Sequence, residues 1–224
     1  MSQLESPFAR IKAHLHAALK DHGILRALYR NLYQISSEGH PKALRSNHPS
    51  PAFIKKMQQK HAIKTILSVR RADTTGAYLL EKETCDQLGI RLVNHAMSSR
   101  QLPSVADVLK AKALLESIEY PILIHCKSGA DRAGMMSVFY KHFIEKQPIE
   151  EALAQLSMKY GHFRWADTGK LDFFFDDYLA FKKQHPDISF ETWLTEHYDQ
   201  QALNAQFKAE GWANIVVNKI LHRE

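Results

Sequence analysis

From residue 50 the apolar positions of the chain switch repeatedly between two periods. SPAFIKKMQQKH has helical spacing, KTILSVR (64–70) reads as a buried strand, GAYLLEKETCDQLG as a helix and IRLVNHA (90–96) again as a strand. PSVADVLKAKALLESI is helical, PILIH (121–125) a strand, and DRAGMMSVFYKHFIEK helical. Strand and helix alternating at this spacing predict right-handed crossovers and a parallel sheet covered on both faces. The fold class is therefore α/β, a central mostly parallel sheet flanked by helices. In such sheets ligands bind beyond the carboxyl ends of the strands. The loops after Ser68, Asn94 and Ile124 should share one rim.

The two ends of the chain read differently. PFARIKAHLHAALKDH (7–22) sets Phe8, Ile11, Leu15 and Leu19 at helical spacing, an amphipathic helix whose apolar seam is expected to pack on the domain. Its basic side makes a weak membrane-surface contact the second reading of this helix. NLYQISSEGHPKALRSNHPSP predicts short strand segments separated by turns at Gly39, Pro41, Pro49 and Pro51. Beyond Gln147 the strand signals stop. PIEEALAQLSMKYG, LDFFFDDYLAFKKQH, SFETWLTEHYDQ and the stretch to Leu221 all read as helices, with Phe173, Phe174, Phe175, Tyr178 and Phe181 as core. No linker rich in Pro, Gly or Ser divides the chain. One domain is expected, with an N-terminal helix in 1–30, a core over 31–165 and extra C-terminal helices over 166–224.

Composition narrows the classes. The 224 residues are 45% apolar and 24% charged, the balance of a globular protein able to bury a sizeable core. No apolar run approaches the roughly 20 residues that span a bilayer. Arg10, Lys12, His14 and His16 interrupt the N-terminus where a secretory signal needs an apolar core. The expectation is a cytoplasmic protein. Thirty basic against twenty-four acidic residues give +6 and a pI near 9.2, which favours anionic partners, and no motif points to nucleic acid. Cys85 and Cys126 lie far apart in no C-x-x-C pattern, so neither a zinc site nor a disulfide framework is indicated. Cys85 falls within a helical pattern and is expected to be buried; a reversible disulfide with Cys126 is the rival reading.

Candidate chemistry lies in PILIHCKSGADRAGMMSVFY (121–140). A cysteine serves an enzyme as thiolate, a form favoured by positive potential. Cys126 ends a strand, and a helix opens a few residues later. The intervening Lys127, Ser128, Gly129 and Ala130 can turn their N–H groups, with the helix N-terminus, toward one point above the sulfur. Gly129 permits the tight fold and Gly134 a close approach of helix and sheet. Arg132 can return its planar fork to the same anion, with the geometry suited to phosphate. His125 is expected to hold loop and thiolate by hydrogen bonding. The plain alternative is a small buried hydrophobe at a strand end.

HCKSGADRAG resembles the H-C-x5-R signature of the cysteine-dependent protein tyrosine and dual-specificity phosphatases, matched at His125, Cys126, Gly129, Arg132 and Gly134. LRALYRNLYQIS, ALRSNHPSP, IKTILSVR and the R-x-L-P of Arg100 to Pro103 are similar in order and spacing to a bacterial branch, so the likeness covers roughly residues 24–165. It implies a protein tyrosine phosphatase-like fold and phosphomonoester hydrolysis through a cysteinyl-phosphate, with no metal or other cofactor. Cys126 would attack phosphorus while the loop amides, those of Ala133 and Gly134 included, and Arg132 hold the equatorial oxygens.

Two departures stand out. The family's acid is usually an aspartate on a loop roughly 25 to 40 residues before the cysteine, but NHAMSSRQLPS has no carboxylate. Asp107 follows Ser104 in a capping pattern. Asp131 is the better candidate, in a D-R loop ending similar to that of the myotubularin and Sac phosphoinositide phosphatases, and His95 is a weaker one. Ala133 replaces the usual Ser or Thr whose hydroxyl helps the thiolate leave, which predicts slow phosphoenzyme turnover. Arg70, Arg71 and Arg100 on neighbouring loops suit a phosphorylated protein, lipid or sugar substrate bearing more than one negative group. Asp73 is read either as a cap of the next helix or as a neighbour of Arg132. A phospho-ligand binding module and a rhodanese-like sulfurtransferase remain the alternatives.

Overall fold

Five short strands form one sheet in the order β1-β2-β5-β3-β4: β1 (Tyr33–Gln34), β2 (Ala43–Ser46), β3 (Thr65–Ser68), β4 (Arg91–Asn94) and β5 (Ile122–His125). The computed structural model describes residue 4 and residues 6–19 and 28–207. β2, β5, β3 and β4 run parallel, and only the two-residue edge strand β1 is antiparallel. The central strands are Ala43–Ser46, Thr65–Ser68 and Ile122–His125, and every one of their residues is buried, as expected of a sheet covered on both faces. The register aligns Ser46, His125, Ser68 and Asn94 at one level. The carboxyl ends of four strands therefore open onto a common rim.

Seven labelled helices surround the sheet: α1 (Pro7–Leu19), α2 (Pro51–His61), α3 (Gly76–Leu88), α4 (Val105–Ser117), α5 (Asp131–Phe139), α6 (Lys170–Gln184) and α7 (Phe190–Glu196). Their starts follow local chemistry. Ser50 caps α2 with Pro51 in the first turn, Thr75 caps α3, and Ser104 with Asp107 forms a reciprocal capping box on α4. Asp73 accepts from the Thr75 N–H and hydroxyl at 2.9 and 2.6 Å, which supports that cap rather than Arg132.

Alternation along the strands divides the interior in two. Ala43, Leu67, Val69, Ile122, Ile124 and Cys126 face the larger core, where α4, α5, α6 and α7 contribute Val108, Phe139, Phe174 and Trp193. Leu44, Ile66 and Leu123 face a smaller one with Phe53, Met57 and Cys85. Phe173, Phe174, Phe175 and Tyr178 are core, as the spacing predicts, and Phe181 packs against them.

Two helical expectations are corrected. The seam of α1 does not pack on the protein: Phe8, Ile11, Leu15 and Leu19 are 56 to 78% exposed, and the contact with α3 runs instead through Ala13, against Leu80. Small side chains allow the closer approach of the two helices, so the larger apolar face is left outward. PIEEALAQLSMKYG is not one helix but short turns at Ile149–Ala152, Leu153–Gln155 and Met158–Tyr160. The break at Leu156 frees the Gln155 carbonyl to accept from a buried arginine described below. Of the remaining helical readings, residues 20–22 and 208–221 lie outside the described residues. Among the described residues no helix is long and apolar enough to cross a membrane.

Candidate active site

β5 delivers Cys126 to the rim, and residues 127–130 turn before α5 begins at Asp131. Gly129 adopts φ +78°, and a Cβ there would meet the backbone of Ser46 and Asn47 at 2.7 to 2.8 Å. Only glycine meets both demands. Its N–H donates to Cys126 Sγ at 3.2 Å. Ala130, at the cap of α5, offers no capping side chain, so the first amides of that helix stay uncommitted at the open side of the loop. Arg132 is half-buried there and makes no hydrogen bond or ion pair among the described residues. A thiol, uncommitted helix-start amides and an unpaired guanidinium thus lie along one short loop, and these are the groups an oxyanion site uses.

The loop is held from behind by a group that the sequence reading passed over. Arg45 of β2 is fully buried, and its guanidinium donates to the carbonyls of Gly129 (2.7 Å), Ala130 (2.8 Å) and Gln155 (2.7 Å). It also lies 4.1 Å from the ring centre of Tyr160. Capturing the loop carbonyls on the buried side leaves the loop N–H groups turned to the other. Burial lowers the pKa of Arg45 to about 10, and attraction to Cys126, Tyr160 and Asp131 opposes the fall, so it remains a cation at neutral pH. Gly134 makes room for this clamp: a Cβ there would meet Leu156, the Gln155 carbonyl and Arg45 at 2.8 to 3.2 Å. Asn31 adds two ties, donating to the carbonyls of Ser128 (3.1 Å) and Tyr160 (2.9 Å).

His125 is placed differently from its expected role. Successive strand residues face opposite sides, so its ring lies on the other side from Cys126, 2.6 Å from the fully buried Glu81 of α3. Its other nitrogen is 3.3 Å from the Cys126 carbonyl, not the sulfur. His48 also faces Glu81, at 3.5 Å. Burial would raise the Glu81 carboxyl, but His125, His48 and Arg70 together hold it below the usual range. Arg70 contacts the His48 ring and so turns into this buried group rather than onto the rim.

Arg71 takes the rim position instead. With Arg100, Arg132, Met97, Ser98 and Gln200 it lines a cleft of about 660 Å³ beside the loop. Lys127 and Ser128 are exposed, whereas Ala133 is buried and offers no hydroxyl. The carboxylate-free segment after β4 is pinned by the C-terminal part: Tyr198 donates to the Pro103 carbonyl at 2.8 Å and Gln200 to that of Leu102 at 2.7 Å.

The candidate acids separate clearly. Asp107 lines the cleft with Arg132 but is engaged in its capping box with Ser104. Burial lowers the pKa of His95, which leaves it neutral at pH 7. Asp131 lies at the loop itself, one carboxylate oxygen 2.8 Å from His162 Nδ1, while His162 Nε2 is 2.8 Å from Asp172 of α6. Burial opposes the charge on His162, but the two carboxylates prevail and raise its pKa to about 9. Cys85 belongs to the opposite core from Cys126, and burial pushes its thiol up to about 12. That placement supports the buried reading over a disulfide partner.

Sequence signals for the missed residues existed. Arg45 is a lone charge within a buried strand, and Glu81 falls on the helical stripe of Ala77, Leu80, Thr84 and Cys85. His162 carries no local pattern. Among the described residues no cluster of three or more His, Cys, Asp or Glu side chains is placed to hold a metal ion.

Comparison with known proteins agrees with this layout. Residues 45–170, more than half of the chain, match the family described as DSP-PTPase phosphatase fused to NAD+ kinase. The solved structure of P. aeruginosa TpbA is similar at TM-score 0.53 and 22% identity, covering 66% of this chain and 84% of that one. A variant of TpbA in complex with pTyr gives 0.51 and 22%, covering 63% and 80%. A DUF442 protein from Shewanella putrefaciens CN-32 gives 0.50 and 16%, covering 67% and 90%. No curated protein matches the chain. The five-stranded sheet with its flanking helices is the protein tyrosine phosphatase-like fold.

Proposed function

Because the chain belongs to the cysteine-dependent protein tyrosine and dual-specificity phosphatase superfamily, within the family of DSP-PTPase phosphatases fused to NAD+ kinase, we propose that it hydrolyses phosphomonoesters through a cysteinyl-phosphate on Cys126. The observation that supports this reading is the loop itself: the Gly129 N–H donates to Cys126 Sγ, Arg45 holds the loop carbonyls from behind, and the unpaired Arg132 at the loop's end lines the neighbouring cleft. In this reading the sulfur attacks phosphorus. The loop amides and Arg132 hold the equatorial oxygens as charge shifts onto them, Asp131 serves the leaving oxygen, and water then releases phosphate.

Arg71 and Arg100 beside Arg132 in the 660 Å³ cleft support a substrate with a second anionic group. Arg100 is only loosely engaged, 3.9 Å from an exposed Asp167. Among pTyr peptides, inositol phosphates and phosphorylated sugars, the substrate with a second anionic group should show the lowest KM. Replacing Arg71 and Arg100 by alanine should raise that KM by about tenfold and leave a simple aryl phosphate nearly unaffected. The outward apolar face of α1 supports a weak membrane-surface contact, which vesicle co-sedimentation with and without residues 1–19 would test.

The decisive experiment is phosphate release by native protein with Cys126→Ser as the blank, beside a thiosulfate sulfurtransferase assay. Turnover lost in the variant is the expected result. A second reading, a binding module, is favoured by Ala133 and the carboxylate-free loop after β4. It would be established by phospho-ligand affinity equal in both proteins with no turnover in either.

A further inference from the structure

Asp131, His162 and Asp172 form a line of three titratable groups that joins the H-C-x5-R loop to the helix that begins where the matched family region ends. Asp131 opens α5, His162 lies in the segment between Tyr160 and α6, and Asp172 is on the first turn of α6. His162 is 1% exposed at its side chain, and both ring nitrogens are 2.8 Å from a carboxylate oxygen. Asp131, 22% exposed at its side chain, accepts no other hydrogen bond among the described residues. One end of the line is therefore partly exposed at the loop, next to the cleft-lining Arg132, and the other is buried.

A carboxylate held by a cationic imidazole is a poor proton donor by itself, whereas the pair with its shared proton can donate. We infer that Asp131, His162 and Asp172 act as a proton relay for the leaving group, Asp131 as the catalytic residue and His162 and Asp172 as positioning residues. The inference rests on the phosphatase reading above. In the first step Cys126 Sγ forms a bond to phosphorus as the P–O bond breaks. The electron pair goes to the leaving oxygen, which takes a proton from Asp131 as Asp131 takes the Nδ1 proton of His162. Asp172 keeps its hydrogen bond from Nε2–H throughout and fixes the neutral tautomer. In the second step water attacks phosphorus and the P–S bond breaks. The water proton passes to Asp131 and on to His162 Nδ1, so the resting state returns.

The reaction itself drives the first transfer, because the leaving oxygen becomes more basic as its bond to phosphorus breaks. Among the other charged or titratable groups, Arg45 from β2 feels Asp131, and Cys126, Tyr160 and Tyr29 in turn act on Arg45. Arg45 lies on the buried side of the loop and holds backbone carbonyls, and it makes no hydrogen bond to Asp131. With the His162 pKa near 9, the relay stays loaded through neutral pH.

The test compares His162→Asn and Asp172→Asn with native protein on an alkyl phosphate, whose leaving group needs a proton, and on p-nitrophenyl phosphate, whose leaving group does not. His162→Asn should lose about a hundredfold in kcat/KM on the alkyl ester and no more than about tenfold on the nitrophenyl ester. The native profile on the alkyl ester should fall above about pH 9, and that limb should disappear in the variant. Equal losses on the two esters, or no loss on either, overturn the relay. Nitrogen-15 spectra of the His162 ring in the Cys126→Ser protein supply a readout free of turnover. A neutral ring at pH 7 in the absence of ligand overturns the relay as well. If native protein fails even on p-nitrophenyl phosphate, the phosphatase reading falls and the relay with it. If only the leaving-group contrast is missing, the relay alone is lost.

Discussion

Replacing Arg45 by methionine removes the clamp behind the loop while keeping comparable volume. Three buried carbonyls, of Gly129, Ala130 and Gln155, lose donors at 2.7 to 2.8 Å. Each unpaired buried acceptor costs about 1–3 kcal/mol, or about 6 kcal/mol for three. Against this, the buried cation no longer has to be desolvated. Burial draws Arg45 from 12.5 to about 10, worth about 3.5 kcal/mol at 1.4 kcal/mol per pH unit. The net loss is about 2.5 kcal/mol, seen as a fall of roughly 5–10 °C in Tm for a chain of this size. Function should suffer more than stability, because the loop amides are then no longer held toward the pocket. Loss of such preorganised donors costs about 10²–10³ in rate. Arg45→Lys keeps the charge without the planar fork and should fall between the two proteins. Urea unfolding gives the stability and steady-state kinetics at 25 °C the rate. Both variants retaining native Tm and native kcat/KM would refute the reasoning.

Gly129→Ala should be inactive and destabilised by about 2–4 kcal/mol in urea titrations, since the residue holds φ +78° with backbone 2.7 Å from the new Cβ. Stability should also depend on pH through His162, whose pKa rises from 6.5 to about 9 on folding. The folded state then binds the proton more tightly, so this stabilisation is complete below pH 6.5 and is lost as pH climbs through 9. Its size is about 3 kcal/mol, and urea midpoints at pH 6 and 9.5 should differ in native protein far more than in His162→Asn. Cys85, pushed up to about 12 and fully buried, should resist alkylation at pH 8 until the protein unfolds, as read by mass mapping with and without denaturant.

The local elements were legible because their signals are local. Helical and strand periods between residues 50 and 144 marked α2 to α5 and β3 to β5 to within a few residues, and Ser104 with Asp107 announced the cap of α4. The H-C-x5-R run was equally plain, since a strand end, a glycine at positive φ and a helix start must be consecutive to build such a loop. PIEEALAQLSMKYG misled because its spacing is helical while a tertiary demand, the Gln155 carbonyl on Arg45, breaks it. The seam of α1 misled because periodicity defines a face without saying what covers it.

By itself, then, the amino-acid order determined the α/β alternation, the rim of strand ends and the position of the H-C-x5-R loop between strand and helix. Tertiary structure alone decided that His125 faces Glu81, that Arg71 rather than Arg70 lines the cleft, and that Asp131 joins His162 and Asp172. Asp131 and His162 are 31 residues apart, and no short-range pattern encodes a contact across that distance. Such pairs form because burial leaves each charge without water, and only the packed fold determines which partner replaces it.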